Sequence, residues 1–183
     1  MIFLPGNIYH IYNRGNNREP VFYQTRNYEF FLAKAGTHIS KFADVICYCL
    51  MPNHFHFMIK AKESIEVSGL NNEFAVLLRS YTRAINLQEE RTGSLFQQKT
   101  KAKNVSECCL VCFNYIHQNP LKAGIVQRIE DWEYSSFNEY AGKSRNPICN
   151  IQLGKEIIEF NTTEEFYKLS YQNIDPKKRD ELY

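Results

Sequence analysis

Two apolar segments, residues 45–51 and 54–60, are separated by only two residues, Pro52 and Asn53. Both segments are rich in β-branched, aromatic and aliphatic side chains, which is typical of strands. Because a proline followed by an asparagine is a turn signal, the simplest connection between them is an antiparallel hairpin. The middle of the chain is therefore predicted to lie in a sheet.

The segments on either side of this hairpin alternate between strand and helix patterns. Residues 8–13 read as a strand and precede a turn-forming, basic segment at 14–18. Apolar residues recur at helical spacing over residues 26–40 and 70–85, and residues 95–105 form a fourth strand or a basic loop. The order βαββαβ, followed by a further helix, predicts an α+β fold with a ferredoxin-like antiparallel sheet and helices on one face.

Length and composition predict one compact domain with an extension. The chain has 183 residues, of which 44% are hydrophobic, enough for a substantial core. We expect residues 1–141 to form the main domain and residues 142–183 to add short helices that pack on it. There is no apolar run long enough for a membrane span and no basic segment followed by a long apolar one at the N-terminus. These features favour an unexported, cytoplasmic protein whose six cysteines are reduced thiols.

Charge is distributed unevenly along a chain whose net charge is only +2. Between Arg79 and Lys103 there are six basic and two acidic residues, a local balance of +4, whereas residues 155–183 hold five basic and seven acidic residues, a balance of −2. The middle of the chain is therefore where a polyanion would bind, although a solvated surface gives the same pattern.

The second strand of the hairpin carries two histidines, His54 and His56, separated by one residue. Side chains at alternate positions of a strand share a face, so both imidazoles project together while Phe55 and Phe57 take the other side. Two neutral imidazoles so placed can each give one nitrogen to a divalent metal. The pair alone leaves metal binding and ordinary packing as equal alternatives.

A second group of polar residues ends the helix that follows the fourth strand. Ser106 is the predicted N-cap, and the helix is predicted to stop near Asn119 because the following Pro120 disfavours α-helical backbone there. At 3.6 residues per turn, Tyr115 and Asn119 lie about 40° apart and face one site together, whereas His117 lies about 200° from Tyr115. Packing of Tyr115 at the margin of the core, and a role for Asn119 as the N-cap of a short turn closed by a glycine, remain alternatives.

Four motifs in order resemble the single-tyrosine transposases of the HUH superfamily, most closely the branch associated with repetitive extragenic palindromes (REPs). They are residues 9–16 (YHIYNRGN), 51–56 (MPNHFH), 93–97 (GSLFQ) and 115–124 (YIHQNPLKAG). The resemblance spans about residues 7 to 140, so it covers the predicted main domain. Four motifs in the family order are far more specific than any one of them.

The resemblance implies a metal-dependent enzyme that cleaves and joins single-stranded DNA with hairpin structure. It implies Tyr115 as the nucleophile of a transient 5′-phosphotyrosine intermediate, and His54, His56 and Asn119 as ligands of Mg²⁺ or Mn²⁺. Related enzymes often have glutamine where this chain has Asn119. A prokaryotic protein, bound to the nucleoid when it holds DNA, is also implied, and monomer and homodimer both stay open.

Basic and aromatic side chains supply the expected contacts to DNA. Five basic residues are candidates to hold phosphates: Arg14, Arg18, Lys99, Lys101 and Lys103. Three aromatic residues are candidates to stack on unpaired bases, with core packing as the alternative: Tyr12, Phe96 and Tyr134.

Two other functions stay open at this point. Cys49 is expected opposite His56 in the hairpin, so Cys47, Cys49, His54 and His56 offer the ligands of a structural zinc site. Alternatively, the chain is a domesticated, non-catalytic module that holds hairpin DNA without cutting it. Retention of both histidines together with Tyr115 favours the enzyme.

Overall fold

The computed structural model describes residues 2–63, 67–144, 147–180 and 182. Its centre is one four-stranded sheet in the order β2-β3-β1-β4, in which every neighbouring pair is antiparallel. The strands are β1 (Ile8–Arg14), β2 (Ala43–Met51), β3 (His54–Ala61) and β4 (Lys101–Asn104). The predicted α+β class with an antiparallel sheet is confirmed, and Pro52 and Asn53 form the expected connection between β2 and β3.

Helices follow the predicted order around this sheet. They are α1 (Thr25–Ile39), α2 (Val67–Gln88), α3 (Cys109–Lys122), α4 (Phe137–Tyr140), α5 (Ile151–Ile158), α6 (Thr163–Ser170) and α7 (Pro176–Asp180). Across the described ranges, no helix combines the length and the apolar character that crossing a membrane requires.

One face of the sheet forms the main core against α1 and α2. Phe55 and Phe57 are fully buried there, and the ring of Phe31 from α1 lies 5.3 Å from that of Phe55 and 4.9 Å from that of Tyr81 in α2. Each fully buried phenylalanine stabilises the fold by about 1.5–3 kcal/mol. These rings hold β3 in register, so the alternate residues of the strand face the opposite side, where α3 lies.

Phe96 belongs to this same core. It is 4% exposed, and its ring lies 5.7 Å from that of Phe55 and 6.1 Å from that of Tyr81. The alternative of core packing is therefore the right one for this residue. Tyr134 stacks on Tyr28 with ring centroids 3.7 Å apart, which also gives it a structural role.

Both predicted ends of α3 are wrong. The helix begins at Cys109 without a side-chain cap, because the Ser106 hydroxyl instead accepts a hydrogen bond from the backbone N–H of Ile8 at 3.0 Å. At the other end the helix continues through Pro120 to Lys122. Burial of the Pro120 ring in the tertiary structure outweighs the local preference of its predecessor for extended backbone.

The final turn of α3 therefore includes Asn119 as a helical residue, not as the N-cap of a separate turn. Its amide nitrogen donates to the carbonyl of Tyr115 at 2.9 Å. The helix ends where Gly124, with φ of +70°, adopts the left-handed conformation that glycine tolerates best.

The C-terminal helices brace α3 from the side away from the sheet. Asn114 donates to the carbonyl of Leu169 and Gln118 to the carbonyl of Ser170, both at 2.8 Å. Helix α6 has a capping box between Thr162 and Glu165, as its sequence predicts. Because these bonds connect the end of α6 to the helix that carries Tyr115, α6 helps to set the position of that residue.

Candidate active site

The two histidines of β3 lie side by side beneath α3. The ring centroids of His54 and His56 are 4.9 Å apart, and the ring planes are perpendicular. His56 is 2% exposed and lies opposite Cys49 of β2 in the sheet register, as expected. His54 occupies the first position after the hairpin turn, where Nδ1 donates to the side-chain oxygen of Asn53 at 2.6 Å. That bond leaves Nε2 of His54 as the nitrogen with the lone pair.

Hydrogen bonds also distinguish the two nitrogens of His56. Its Nδ1 lies 2.8 Å from Nε2 of His10, a residue of β1. Its Nε2 is buried and has no hydrogen-bond partner in the described part of the chain. A buried polar atom without a partner is costly, so its presence calls for an explanation such as a bound water or ion.

Burial keeps these imidazoles uncharged. It lowers the pKa of His54 to about 4, with the nearby positive charge of Arg14 acting in the same direction and a hydrogen bond with Asn119 acting against it. Burial lowers the pKa of His10 to about 4 and that of His56 well below its ordinary value. Near neutral pH each ring is therefore neutral, the form that coordinates a metal.

Helix α3 brings Tyr115 and Asn119 to the same place. The ring centroid of Tyr115 lies 5.5 Å from that of His56, with the two planes nearly perpendicular. Burial raises the pKa of the Tyr115 phenol, while a hydrogen bond with Asn119 lowers it. The Asn119 side chain also acts on the pKa of His54, which places it beside the histidine strand. The four residues predicted for catalysis and metal binding thus lie together.

These residues line a cavity of about 940 Å³, called here the histidine cavity. Three of the five predicted DNA-binding residues line it as well, namely Arg14, Lys99 and Lys101. Lys103 faces the same side from its position opposite His10 in the sheet, but neither Lys103 nor Arg18 is among the lining residues. Basic side chains therefore surround the two neutral imidazoles in this cavity.

Tyr12 is the aromatic candidate that does lie in the histidine cavity. It lines the wall formed by β1, and the ammonium of Lys101 lies 5.6 Å from the centroid of its ring. An aromatic face beside a cation can accept an unpaired base while the cation holds a phosphate.

A second cavity of about 920 Å³, called here the α2 groove, runs between α2 and residues 94–100. It shares Asn13, Gln97 and Lys99 with the histidine cavity, so the two cavities adjoin at these residues. Its α2 wall presents Arg79 and Arg83, one helical turn apart. The described residues provide no acidic salt-bridge partner for either guanidinium, so their mutual repulsion is left unrelieved.

Sequence reasoning assigned no role to several side chains of these cavities. Ile174, Pro176, Arg179 and Asp180 from the C-terminal segment line the histidine cavity. No motif identified them, because only the fold brings this segment to β3. The sequence does carry a signal for His10. It alternates along β1 with Tyr9 and Ile11, so its side chain lies on the other face of the strand, and its partner Met58 shares that face with His54 and His56.

The thiols of β2 do not complete a structural zinc site with the two histidines. Cys47 and Cys49 are fully buried, and burial raises the pKa of both thiols, which keeps them protonated. Among the described residues, no three His, Cys, Asp or Glu side chains form a cluster that could hold a metal. The predicted four-ligand zinc site is therefore not formed, whereas two lone-pair imidazole nitrogens and the Asn119 amide leave positions open for phosphate oxygens and water.

The buried histidines predict a loss of stability in mild acid. Burial lowers the pKa of His117, a residue of α3 that faces away from Tyr115, to about 3. It lowers the pKa of His10 to about 4. The value expected for both in the unfolded chain is 6.5. Between these limits the unfolded chain binds more protons, so the free energy of unfolding should fall as pH drops from about 6.5 to about 4. Each such histidine contributes at most about 1.4 kcal/mol per pH unit.

Urea unfolding of the metal-free protein at pH 7, 6 and 5 measures this effect. The His117→Gln variant retains a donor for Ser136, which lies 2.8 Å from the imidazole Nε2, and should show a shallower pH dependence than the wild type. Equal free energies of unfolding at all three pH values would contradict the prediction.

A family model and a named relative match this chain. Residues 5–119 match the family model described as "Transposase IS200 like". A Haemophilus influenzae protein, provisionally named a REP-associated tyrosine transposase, is 26% identical over 104 residues. The match covers 52% of this chain and 59% of that protein, so it spans about three fifths of the relative.

A solved structure has the same fold. It is described as a REP-associated tyrosine transposase bound to a REP hairpin, and it is 18% identical with a TM-score of 0.64 over 81% of this chain and 87% of that one. The family resemblance predicted from the sequence motifs is confirmed: since the family model covers more than half of the residues, the chain belongs to the IS200-like transposases.

Proposed function

We propose that this chain is a metal-dependent endonuclease and strand transferase that acts on single-stranded DNA with hairpin structure, built on a ferredoxin-like scaffold. One observation carries the proposal: the Tyr115 ring lies 5.5 Å from His56, whose buried Nε2 has no hydrogen-bond partner among the described residues. A phenol beside two neutral imidazoles, each with one unprotonated nitrogen, is the chemistry that phosphodiester transfer to tyrosine needs.

The tyrosine needs help at neutral pH because burial raises its already high pKa. The two Nε2 atoms of His54 and His56, together with the side-chain oxygen of Asn119, would hold Mg²⁺ or Mn²⁺. A bound ion of this kind supplies a positive charge that polarises the scissile phosphate and balances charge on its non-bridging oxygens. Asn119, as a residue of the tyrosine helix, would also help to place that helix beside His54.

The cleavage step forms one phosphorus–oxygen bond and breaks another. The phenolic oxygen of Tyr115 forms a bond to phosphorus, and the bond from phosphorus to the 3′ oxygen of the preceding nucleotide breaks. The phenol loses its proton, and the departing 3′ oxygen gains one, which leaves a 5′-phosphotyrosine and a free 3′ hydroxyl. Reversal with a different 3′ hydroxyl joins the bound strand to a new end.

Basic residues of both cavities would hold the DNA backbone. Arg14, Lys99 and Lys101 surround the histidine cavity, and Arg79 and Arg83 continue the positive surface along the α2 groove. Arg18 and Lys103 would extend it at the margins. Contacts of this kind supply affinity that weakens with salt, but little sequence recognition. A hairpin ligand is proposed because the structurally similar REP-associated transposase was bound to one.

Removing charge from the α2 groove should reduce the salt dependence of binding. For Arg79→Gln combined with Arg83→Gln, we expect weaker binding of a fluorescent hairpin with single-stranded flanks. The slope of log affinity against log salt should fall by about 0.7 for each lost phosphate contact. Fluorescence anisotropy at several salt concentrations measures both quantities. Lys168→Gln, an exposed charge on α6 outside both cavities, is the matched control, and equal slopes for the double variant and this control would contradict the prediction.

A covalent-capture experiment tests the function itself. Wild-type protein incubated with a labelled hairpin oligonucleotide and Mg²⁺ or Mn²⁺ should give an adduct that survives denaturing electrophoresis, together with a released fragment that ends in a 3′ hydroxyl. Chelation with EDTA should prevent both products. Tight hairpin binding without any adduct would instead support the non-catalytic alternative.

A further inference from the structure

His10 is a fully buried histidine at the centre of β1 that the proposed reaction leaves without a role. It lies opposite Met58 in the sheet register and is diagonal to His56 on the same face. Its Nε2 is 2.8 Å from Nδ1 of His56, and the ring centroids are 5.0 Å apart with the planes tilted by 21°. The two rings therefore lie side by side, joined edge to edge.

The opposite nitrogen of His10 is fixed by the C-terminal end of the described chain. Nδ1 lies 3.2 Å from the backbone carbonyl oxygen of Leu182, whose side chain is also fully buried. A carbonyl oxygen only accepts, so Nδ1 of His10 must carry the proton. In a neutral imidazole the other nitrogen, Nε2, is then an acceptor.

This assignment determines the state of His56. Because Nε2 of His10 accepts, Nδ1 of His56 must donate, and the only lone pair of the His56 ring then lies on Nε2. That is the buried atom without a hydrogen-bond partner in the described residues, and it belongs to a side chain that lines the histidine cavity. Leu182, His10 and His56 thus form one directional chain of hydrogen bonds that ends in an electron pair.

We propose that His10 is a positioning residue that fixes the tautomer and ring orientation of His56 for metal binding. The inference rests on the proposed function, since it gives His10 a task only if His56 is a ligand. Ligating histidines generally donate their second N–H to a partner that sets the tautomer, and here a second imidazole held by a main-chain carbonyl does so. An aliphatic residue such as its neighbour Met58 would fill this part of the core without providing that acceptor.

Metal affinity separates this role from simple packing. Titration of Mn²⁺ into the protein without DNA, followed by the electron paramagnetic resonance signal of the free ion, gives the dissociation constant directly. We expect His10→Phe, which keeps an aromatic ring but removes the acceptor, to weaken binding by about 10- to 100-fold. His10→Gln restores an amide oxygen that can accept from His56 and should recover most of the affinity. Met58→Leu, a volume-conserving change in the same core, should bind like the wild type.

A measurement on the unmodified protein keeps the inference testable if a variant fails to fold. Long-range ¹H–¹⁵N correlation spectra of the metal-free protein report which nitrogen of each imidazole carries its proton. We expect His56 and His10 both to be protonated at Nδ1, with the His56 signal identified from its absence in His56→Ala.

The outcomes distinguish the inference from the function on which it rests. Suppose that the wild-type protein binds Mn²⁺ and forms the DNA adduct. If His10→Phe then binds Mn²⁺ equally well, or if His56 carries its proton on Nε2, His10 has no positioning role and the proposed function stands. If the wild type neither binds Mn²⁺ nor forms an adduct, the proposed function and the role of His10 fall together.

Discussion

Replacement of Tyr115 by phenylalanine is expected to abolish the covalent protein–DNA adduct while hairpin binding persists. The substitution removes only the hydroxyl that would attack phosphorus, and the ring retains its packing beside His56. DNA affinity should stay within about fivefold of the wild type, because one hydrogen-bonding hydroxyl contributes about 1 kcal/mol. Denaturing electrophoresis measures the adduct, and mass spectrometry of the digested adduct should locate the nucleotide on the peptide that contains Tyr115.

A second tyrosine provides the matched control for this experiment. Tyr134 lies outside both cavities and hydrogen-bonds to Thr25 at 3.0 Å, so Tyr134→Phe removes the same atoms elsewhere in the fold. The control should form the adduct at the wild-type level. An adduct that survives Tyr115→Phe would show that another residue is the nucleophile.

Replacement of His56 by alanine should remove both metal binding and activity. The variant deletes the most deeply buried proposed ligand, so Mn²⁺ affinity should fall by more than the roughly 100-fold that marks the upper end of losses from outer-shell partners. Adduct formation should fall below detection at metal concentrations that saturate the wild type. Titration of Mn²⁺ and the covalent-capture assay measure the two effects separately.

The His117→Ala variant controls for the loss of a buried imidazole as such. His117 is fully buried among aromatic rings on the far side of α3, with Phe113 4.3 Å away between ring centroids. Its removal leaves a similar void and should lower the free energy of unfolding while Mn²⁺ affinity is unchanged. If His56→Ala and His117→Ala bind Mn²⁺ equally, the proposed ligand set is wrong.

Local patterns predicted those parts of the fold that local physics determines. The alternation of apolar residues in β3 identified both the strand and its two faces, since the period of a strand is independent of what packs on it. The end of α3 was mispredicted for the opposite reason. The restriction before Pro120 is a local preference, and the packing of the buried ring against the rest of the molecule outweighs it.

The site shows the same division. The period of 3.6 residues in a helix placed Tyr115 beside Asn119, and the period of two residues in a strand paired His54 with His56. Both predictions were possible because each pair belongs to one element. The sequence contains no periodic pattern that predicts contacts between segments far apart along the chain. The bond between His10 and Leu182 joins residues 172 positions apart in sequence, and the approach of Arg179 to the histidine cavity depends on the path of the last helices. Only the tertiary structure reveals these contacts.

The placement of α3 across the sheet of its own chain has a consequence for assembly. The phenol and both imidazoles come from one polypeptide, with His56 and Tyr115 in edge-to-face contact without any exchange of a helix between molecules. One polypeptide therefore brings together all the groups that we propose to react.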